Sequence, residues 1–369
     1  MCSGCPETPH EVPPTGVMNR RGFLRFGGAG LASAVLLGTA GSRVLARTGP
    51  SLKAEFKAAA TEYSVPQELL LAMGYVNTLW EMPPPDASDY VEGDPEGRGA
   101  YGIMQLVRNP VQDTLGRAAS LTGLSVEELK TSRAANVRGG AAVLADIQGV
   151  NRPADLDGWR EAAAAYGDTD LYAVEVYETL KTGASATIST GERLQLSPQA
   201  VEIPLIDIAG ARADYRHATW HKANDGNLTD SHRGAKDIDI IVVHVAQGSY
   251  AGTIKWFERA RSNVSAHYVV SRGGKVAQCV RDEDIAWHAG NWPYNKRSIG
   301  IEHEGYASEP KTARQYRSSA RLAAYLSRRL GIPVDRHHII GHRDVPGVNT
   351  ACPGRFDFAR YLRLIKTYR

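Results

Sequence analysis

The distribution of apolar residues changes near residue 205, and this change constrains the fold more than any other feature of the 369-residue chain. Residues 50–183 predict helices, as in the apolar run Leu69–Leu79, and show no convincing strand alternation. Residues 205–369 alternate between strand-like and helical runs, which predicts a mixed sheet flanked by helices. Because one typical core cannot accommodate a chain of this length, we expect two domains, one all-α and one α/β. Residues 184–204, rich in Ser, Thr, Gly and Ala, are predicted to link them.

The α/β segment contains recognisable strands and one hairpin. Four runs predict strands: Ile238–Val245, His267–Val270, Lys275–Val280 and Ser298–Glu304. The residues Ser271–Gly274 separate the second run from the third and predict a hairpin turn. A helix is predicted over Tyr316–Leu330, where Gly331 ends it.

The N-terminus predicts export. The segment Asn19–Arg25 contains twin arginines, and the apolar stretch Phe26–Gly41 and small residues suited to signal-peptidase cleavage follow it. We therefore expect residues 1–46 to be a removable signal region and the mature protein to be extracytoplasmic, secreted or associated with the cell wall, without stable membrane insertion. The alternative is a retained membrane anchor. Because Met18 just precedes the twin arginines, we expect residues 1–17 to be an over-extended start.

The overall charge gives little indication of a partner. With 43 basic and 40 acidic residues, the chain has a net charge of +3. This weakly basic balance gives no reason to expect nucleic acid as a partner, although it would not oppose binding to an anionic polymer.

Three residues in the second half form a candidate metal site. Ten of the eleven histidines lie after residue 216, including His244 at the end of an apolar run and His342. Cys352 follows ten residues after His342. Two imidazoles and one thiolate supply three ligands to Zn²⁺ and leave one position for water or substrate, as in hydrolytic zinc sites. The alternative for Cys352 is a disulfide with Cys279, since these two cysteines remain after removal of the leader.

A hydrolytic metal site also needs a base near the attacking water. The strand Ser298–Glu304 alternates so that Ile299 and Ile301 face one side and Glu302 faces the other. Burial on a central strand would raise the pKa of the Glu302 carboxyl towards values useful to a base. The alternative is an ordinary solvent-facing strand residue.

Five motifs of the second half resemble the zinc-dependent N-acetylmuramoyl-L-alanine amidase family, which includes peptidoglycan-recognition proteins and phage amidases. In family order they are Ile241–His244, Val264–Tyr268, Ala286–Gly290, Ser298–Glu302, and Gly341–Asp344 leading to Cys352–Gly354. The resemblance implies an α/β amidase fold in which His244, His342 and Cys352 bind Zn²⁺. It also implies hydrolysis of the amide bond between N-acetylmuramic acid and L-alanine of peptidoglycan. The alternative function is a non-catalytic peptidoglycan receptor or scaffold.

The resemblance further implies roles for individual residues. Glu302 would be the general base, since the tyrosine that serves in other branches is replaced by Ala266. Thr350 stands where family members carry Lys or Thr to stabilise the oxyanion, and its neutral hydroxyl is the weaker donor. Substrate contacts are predicted at Trp287, His288 and Asn295. The alternative for the first two is a Trp–His pair that packs the loop.

The helical segment resembles lysozyme-like lytic transglycosylases. The motif Gly99–Leu106, the helix Leu69–Val76 and the stretch Asn136–Ala142 provide the resemblance. That family ends its first helix in a Glu-Ser pair, whereas this chain has Asn77-Thr78. Because an amide cannot act as the general acid, we expect a non-catalytic domain that binds glycan or supports the amidase. Glu81, one helical turn further along, is the alternative acid, which would make a bifunctional wall hydrolase.

Overall fold

The computed structural model describes residues 49–204 and 212–369. The predicted signal region therefore lies outside the described residues, as does the start of the predicted α/β domain. None of the helices in the described ranges combines the length and the hydropathy that crossing a membrane requires.

Within residues 49–204 the chain is mainly helical. Its helices are α1 (Leu52–Tyr63), α2 (Gln67–Thr78), α3 (Thr114–Thr122), α4 (Val126–Thr131), α5 (Arg133–Gln148), α6 (Arg160–Gly167) and α7 (Asp170–Thr182). One short antiparallel ladder joins β1 (Ala100–Tyr101) to β2 (Leu106–Val107). The helices expected over residues 50–183 are present together with this short ladder, and the all-α lysozyme-like domain stays a prediction.

The segment predicted as a linker is a packed hairpin. Strands β3 (Ala184–Thr187) and β4 (Arg193–Leu196) pair in antiparallel fashion. Leu194 and Leu196 are buried, because their period-two spacing turns both side chains towards the helices. The linker prediction was therefore wrong for these residues: the Ser- and Thr-rich composition outweighed a strand signal only four residues long.

A six-stranded mixed sheet forms the centre of the second half. All strands described in this half, including two outside the sheet, are β5 (Thr219–Trp220), β6 (Leu228–Thr229), β7 (Ile240–Val243), β8 (Tyr268–Val270), β9 (Val276–Gln278), β10 (Ile285–Ala286), β11 (Ser298–His303) and β12 (Ile339–Gly341). The helices are α8 (Tyr250–Glu258), α9 (Trp292–Arg297), α10 (Ala313–Leu330) and α11 (Phe358–Tyr368). The sheet order is β12-β7-β11-β8-β9-β5, while β6 and β10 pair separately. The predicted mixed sheet with helices and its β8–β9 hairpin are confirmed.

The parallel register of three strands aligns the candidate site. Val243, the last residue of β7, is the partner of Ile301 in β11 and of Gly341 in β12. The residue after each of these partners is a candidate: His244, Glu302 and His342. Because parallel strands run in one direction, these three residues lie side by side at the carboxyl ends of the strands, where α/β sheets bind ligands.

The two halves of the described chain pack against each other. Residues 49–369 form one compact unit, and a single apolar cluster includes Leu69 of α2 and Trp256 of α8. A buried arginine adds a polar connection: the Arg272 guanidinium lies 3.1 Å from a Glu304 carboxylate oxygen and 3.0 Å from one of Glu309. It also reaches main-chain carbonyls at the end of α2, at 3.5 Å.

We expect Arg272→Met to lower the free energy of unfolding by about 3–5 kcal/mol, because it leaves two shielded carboxylates without their cation. The control is Arg117→Met, whose ion pair with Asp146 leaves both side chains 42% exposed. This control should cost less than about 1 kcal/mol. Urea denaturation of both variants measures the difference, and equal midpoints would contradict a structural role for the buried cluster.

Candidate active site

The structure brings the three predicted metal ligands together. His244 Nδ1 lies 3.9 Å from Cys352 Sγ. The ligand atoms of His244, His342, Cys352 and a fourth residue, Glu96, all lie within 4.8 Å of one another. Usual zinc bond lengths and tetrahedral angles give ligand-to-ligand distances of about 3.3–3.6 Å. The cluster therefore has the donor types of a zinc site and a size that zinc could close with small shifts of the side chains.

A chain of hydrogen bonds sets the tautomer of His244. Ser298 Oγ donates to the Tyr294 carbonyl at 2.6 Å, so it accepts the bond from His288 Nε2 at 3.2 Å. His288 Nδ1 then accepts from His244 Nε2 at 3.0 Å. The remaining nitrogen of His244, Nδ1, consequently presents its lone pair to Cys352 and the metal position, as a ligand must.

Cys352 is a free, buried thiol. Cys279 is also free and buried, so the alternative of a disulfide between them is wrong. The main-chain N–H of Val245 donates to Cys352 Sγ at 3.2 Å. Burial, with the nearby carboxylates of Glu96 and Glu302, raises the pKa of the Cys352 thiol well above its usual range. Such a thiol needs a cation to hold it as the thiolate, and a bound metal ion would provide that charge.

Glu302 is buried beside the metal cluster. Its side chain is fully shielded from solvent, so the alternative of a solvent-facing strand residue is wrong. Oε1 lies 3.9 Å from His244 Nδ1. Burial, with the charges of Glu96 and Asp94, raises the pKa of the Glu302 carboxyl well above its usual range.

Three buried polar atoms at the site have no hydrogen-bond partner among the described residues. They are both carboxylate oxygens of Glu302 and Nε2 of His342. Leaving such atoms unpaired costs stability, so their presence on residues of the cluster and on Glu302 beside it indicates that the site is built to receive a metal, water or substrate.

The predicted substrate contacts His288 and Asn295 have structural positions instead. His288 is fully buried below His244, where it cannot touch a substrate. Asn295 Oδ1 accepts hydrogen bonds from the main-chain N–H groups of His288 and Ala289, at 3.2 and 2.8 Å. Both residues therefore position the ligand His244. Trp287 is half-buried and donates from Nε1 to Thr229 Oγ1 at 3.0 Å.

Thr350 lies at the cluster, as the sequence predicts. Its Oγ1 accepts from the Cys352 N–H at 3.1 Å and donates to Glu96 Oε2 at 3.3 Å. The hydroxyl is therefore close enough to the ligands to serve a group bound at the metal position.

Sequence reasoning missed Glu96 and the buried Lys311. Glu96 belongs to the α2–β1 loop, defined here as residues 79–99, and lies 246 positions before its contact His342. No spacing rule connects residues so far apart. The available signal was a long loop without helix or strand that contains six acidic residues and one arginine. Lys311 donates to the Tyr306 carbonyl, and burial lowers the pKa of its ammonium group to about 8.

At the position where the resemblance to transglycosylases predicts a catalytic acid, the helical segment has a buried amide. Asn77 is 1% exposed and donates to the Ile103 carbonyl at 3.3 Å. It borders a pocket between the helical segment and α8 that Glu81 does not line. The Glu81 carboxylate instead accepts hydrogen bonds from Ser189, at 2.6 and 2.7 Å, at the turn between β3 and β4. This position argues against Glu81 as the replacement acid.

Comparisons with known proteins find similar amidases. A family model described as N-acetylmuramoyl-L-alanine amidase matches residues 234–355. N-acetylmuramoyl-L-alanine amidase A of Achromobacter lyticus is 32% identical over 173 residues, which cover 41% of this chain and 95% of that protein. The 1,6-anhydro-N-acetylmuramyl-L-alanine amidase AmpD of Haemophilus influenzae is 36% identical over 110 residues, covering 28% of this chain and 59% of that protein.

Among solved structures, a crystal structure of an AmpD derivative shares 25% identity and covers 42% of this chain and 98% of that one, with a TM-score of 0.34. On the sequence matches, the predicted enzyme class is confirmed. The chain belongs to the N-acetylmuramoyl-L-alanine amidase family.

We expect His288→Phe to weaken zinc binding by about 10- to 100-fold, because the variant removes the acceptor that orients His244. Competition with a chromogenic chelator measures the dissociation constant. The matched control is His338→Ala, since His338 pairs with Asp335 outside the metal cluster. An unchanged zinc affinity in His288→Phe would contradict the positioning role.

Proposed function

We propose that this protein is an exported zinc hydrolase that cleaves the amide bond between N-acetylmuramic acid and the L-alanine of peptidoglycan. One observation supports this most strongly: His244, Glu302 and His342 lie side by side at the carboxyl ends of three register-paired strands, and Cys352 lies close to His244. Two imidazoles, a thiolate and a buried carboxylate are the groups that a metal-assisted amide hydrolysis requires.

His244, His342 and Cys352 would hold the zinc. When bound, zinc polarises the amide carbonyl and makes the attacking water more acidic. Glu302 takes the proton of that water as the oxygen attacks the amide carbon. The carbon–nitrogen bond then breaks, and protonated Glu302 returns the proton to the leaving amine of L-alanine. A raised pKa suits this double role, because the carboxyl must hold the proton between the two steps.

Thr350 donates its hydroxyl to the oxyanion that develops on the carbonyl oxygen. A neutral hydroxyl stabilises this charge less than an ammonium group would. His288 and Asn295 act indirectly, by fixing the orientation of His244. Trp287 stays the predicted contact to the substrate, since part of its ring is accessible.

We expect the protein to release new L-alanine amino termini from purified peptidoglycan, and a chelator to abolish the release. Glu302→Gln should lower kcat by about 10²–10⁴-fold, because the amide cannot accept the proton of the water. Labelling of free amino groups followed by mass spectrometry measures the product.

The matched control is Glu283→Gln, which changes an exposed carboxylate to the same amide. If the wild type and both variants bind the wall and none of them releases amino termini, the result would favour the alternative, a non-catalytic peptidoglycan receptor. New glycan ends would indicate that the helical segment is itself an enzyme.

Export is the second part of the proposal, and the twin-arginine segment Asn19–Arg25 supports it. We expect residues 1–46 to direct a folded reporter protein out of the cytoplasm. The reporter should stay inside when Arg20 and Arg21 are both changed to Lys, a change that preserves charge. Fractionation measures its location, and equal export of both versions would contradict a twin-arginine signal.

A further inference from the structure

The α2–β1 loop places Glu96 among the predicted metal ligands, and the role assigned to it here rests on the proposed zinc site. Glu96 Oε1 lies 3.0 Å from His342 Nδ1, and Oε2 accepts the Thr350 hydroxyl at 3.3 Å. The residue is 8% exposed, and its ligand atom belongs to the same cluster as those of His244, His342 and Cys352. The carboxylate is therefore close enough to the three predicted ligands to bind the same metal ion.

A fourth protein ligand changes what a zinc site can do. Zinc that catalyses hydrolysis keeps one position for water or substrate, whereas zinc with four protein ligands is a closed site. The Glu96 carboxylate also engages Thr350, the proposed oxyanion donor. With Glu96 in place, both the open position and the oxyanion donor are taken.

Hydrogen bonds within the loop fix both the main-chain N–H and the main-chain carbonyl of Glu96. Its N–H donates to Asp94 Oδ1 at 2.9 Å, and its carbonyl accepts the Ser88 hydroxyl at 3.3 Å. Two residues later, Arg98 donates to Gln105 Oε1 at 3.2 Å and reaches the sheet segment, which we define as residues 212–369, at Gly248 and Gly252.

Glycines at the start of α8 make room for that arginine. A Cβ built on Gly248 would lie 1.7 Å from Arg98 Nη2, and one on Gly252 would lie 2.3 Å from Nη1. The sheet segment therefore has space shaped for Arg98, at the end of the loop. This fit indicates that the position of Glu96 beside the metal ligands is a built-in feature of the fold.

The outer part of the loop is attached more weakly. Tyr90 packs its ring edge-on against Trp256, with centroids 6.1 Å apart, and the Glu92 carboxylate accepts a hydrogen bond from Asn263 at 3.2 Å. Val91 is 50% exposed. Because residues 79–99 contain no helix or strand, their displacement breaks no regular element.

We propose that Glu96 is the fourth zinc ligand and that the α2–β1 loop holds the enzyme in a latent, closed form. Opening withdraws the Glu96 carboxylate and frees one metal position and the Thr350 hydroxyl together. A substrate that binds only the open form shifts the population towards it. The helical segment then regulates the site of the sheet segment instead of cleaving glycan.

Cobalt-substituted full-length protein tests the ligand role without depending on activity, because the visible spectrum of Co²⁺ reports its coordination. Azide is the probe ligand. In Glu96→Ala, azide should shift the visible bands at concentrations at least about tenfold lower than in the wild type, as expected when a protein ligand competes for the position. The matched control is Asp86→Ala, which removes an exposed carboxylate of the same loop and should behave as the wild type. Equal azide sensitivity of Glu96→Ala and the wild type would overturn the ligand role.

Release of L-alanine amino termini at saturating zinc tests the latency. If the open form is a tenth of the population or less, Glu96→Ala should raise the rate by about fivefold or more. Tyr90→Ala, which weakens the attachment of the loop away from the metal, should raise it in the same direction. A lower rate in Glu96→Ala would overturn the latency and assign Glu96 to the support of His342.

Glu96→Gln keeps the shape of the side chain and serves both measurements if Glu96→Ala does not fold. Absence of release in every variant would overturn the proposed amidase function and the latency that rests on it. The azide titration would then still decide whether Glu96 binds the metal.

Discussion

The candidate site depends on the parallel pairing of β12, β7 and β11. These strands are buried and rich in Ile and Val, which is typical of parallel sheets covered on both faces. Their register places His244, Glu302 and His342 at one level. A slip of one residue in any of the three strands would turn its functional side chain to the opposite face. The core packing that fixes the register therefore also fixes the chemistry.

A layer of polar residues below the ligands completes this arrangement. His288 fits there because β11 has a glycine opposite it: a Cβ on Gly300 would lie 2.5 Å from His288 Cγ. The hydrogen bonds from Ser298 through His288 to His244 leave one nitrogen of His244 free for the metal. The site is thus pre-organised by groups that no substrate reaches, and this explains why two predicted substrate contacts are positioning residues instead.

The helical segment has a more direct relation to the site than its sequence indicates. Its helix α2 carries the buried amide Asn77 in its last turn, and the loop that follows supplies the Glu96 carboxylate to the metal cluster. Arg272 connects the end of that same helix to two carboxylates of the sheet segment. The segment is therefore joined to the sheet segment by apolar packing, by the hydrogen bonds of Arg272 to the end of α2 and by the proposed ligand.

Much of the site was predictable from local patterns. The apolar run before His244 and the alternation around Glu302 specify strands, and the short distance from His342 to Cys352 keeps these two residues close along the chain. The hairpin β3–β4 was missed because strands of four residues carry a weak signal. The positions of His288 and Asn295 could not be predicted, since the sequence neighbours of a short helix or loop do not decide whether a side chain points to solvent or to the core.

The sequence by itself determined the chemical types of the metal ligands, two imidazoles and a thiolate, and it identified the family. It also determined the strand alternation that points Glu302 away from its isoleucine neighbours. Only the tertiary structure decided which groups meet. Glu96 and His342 are 246 positions apart, and their contact at 3.0 Å exists because the α2–β1 loop packs onto the sheet segment, where Arg98 lies against Gly248 and Gly252. Local propensities act over a few residues, whereas such a contact results from the packing of whole elements, and no pattern in either stretch of sequence encodes it alone.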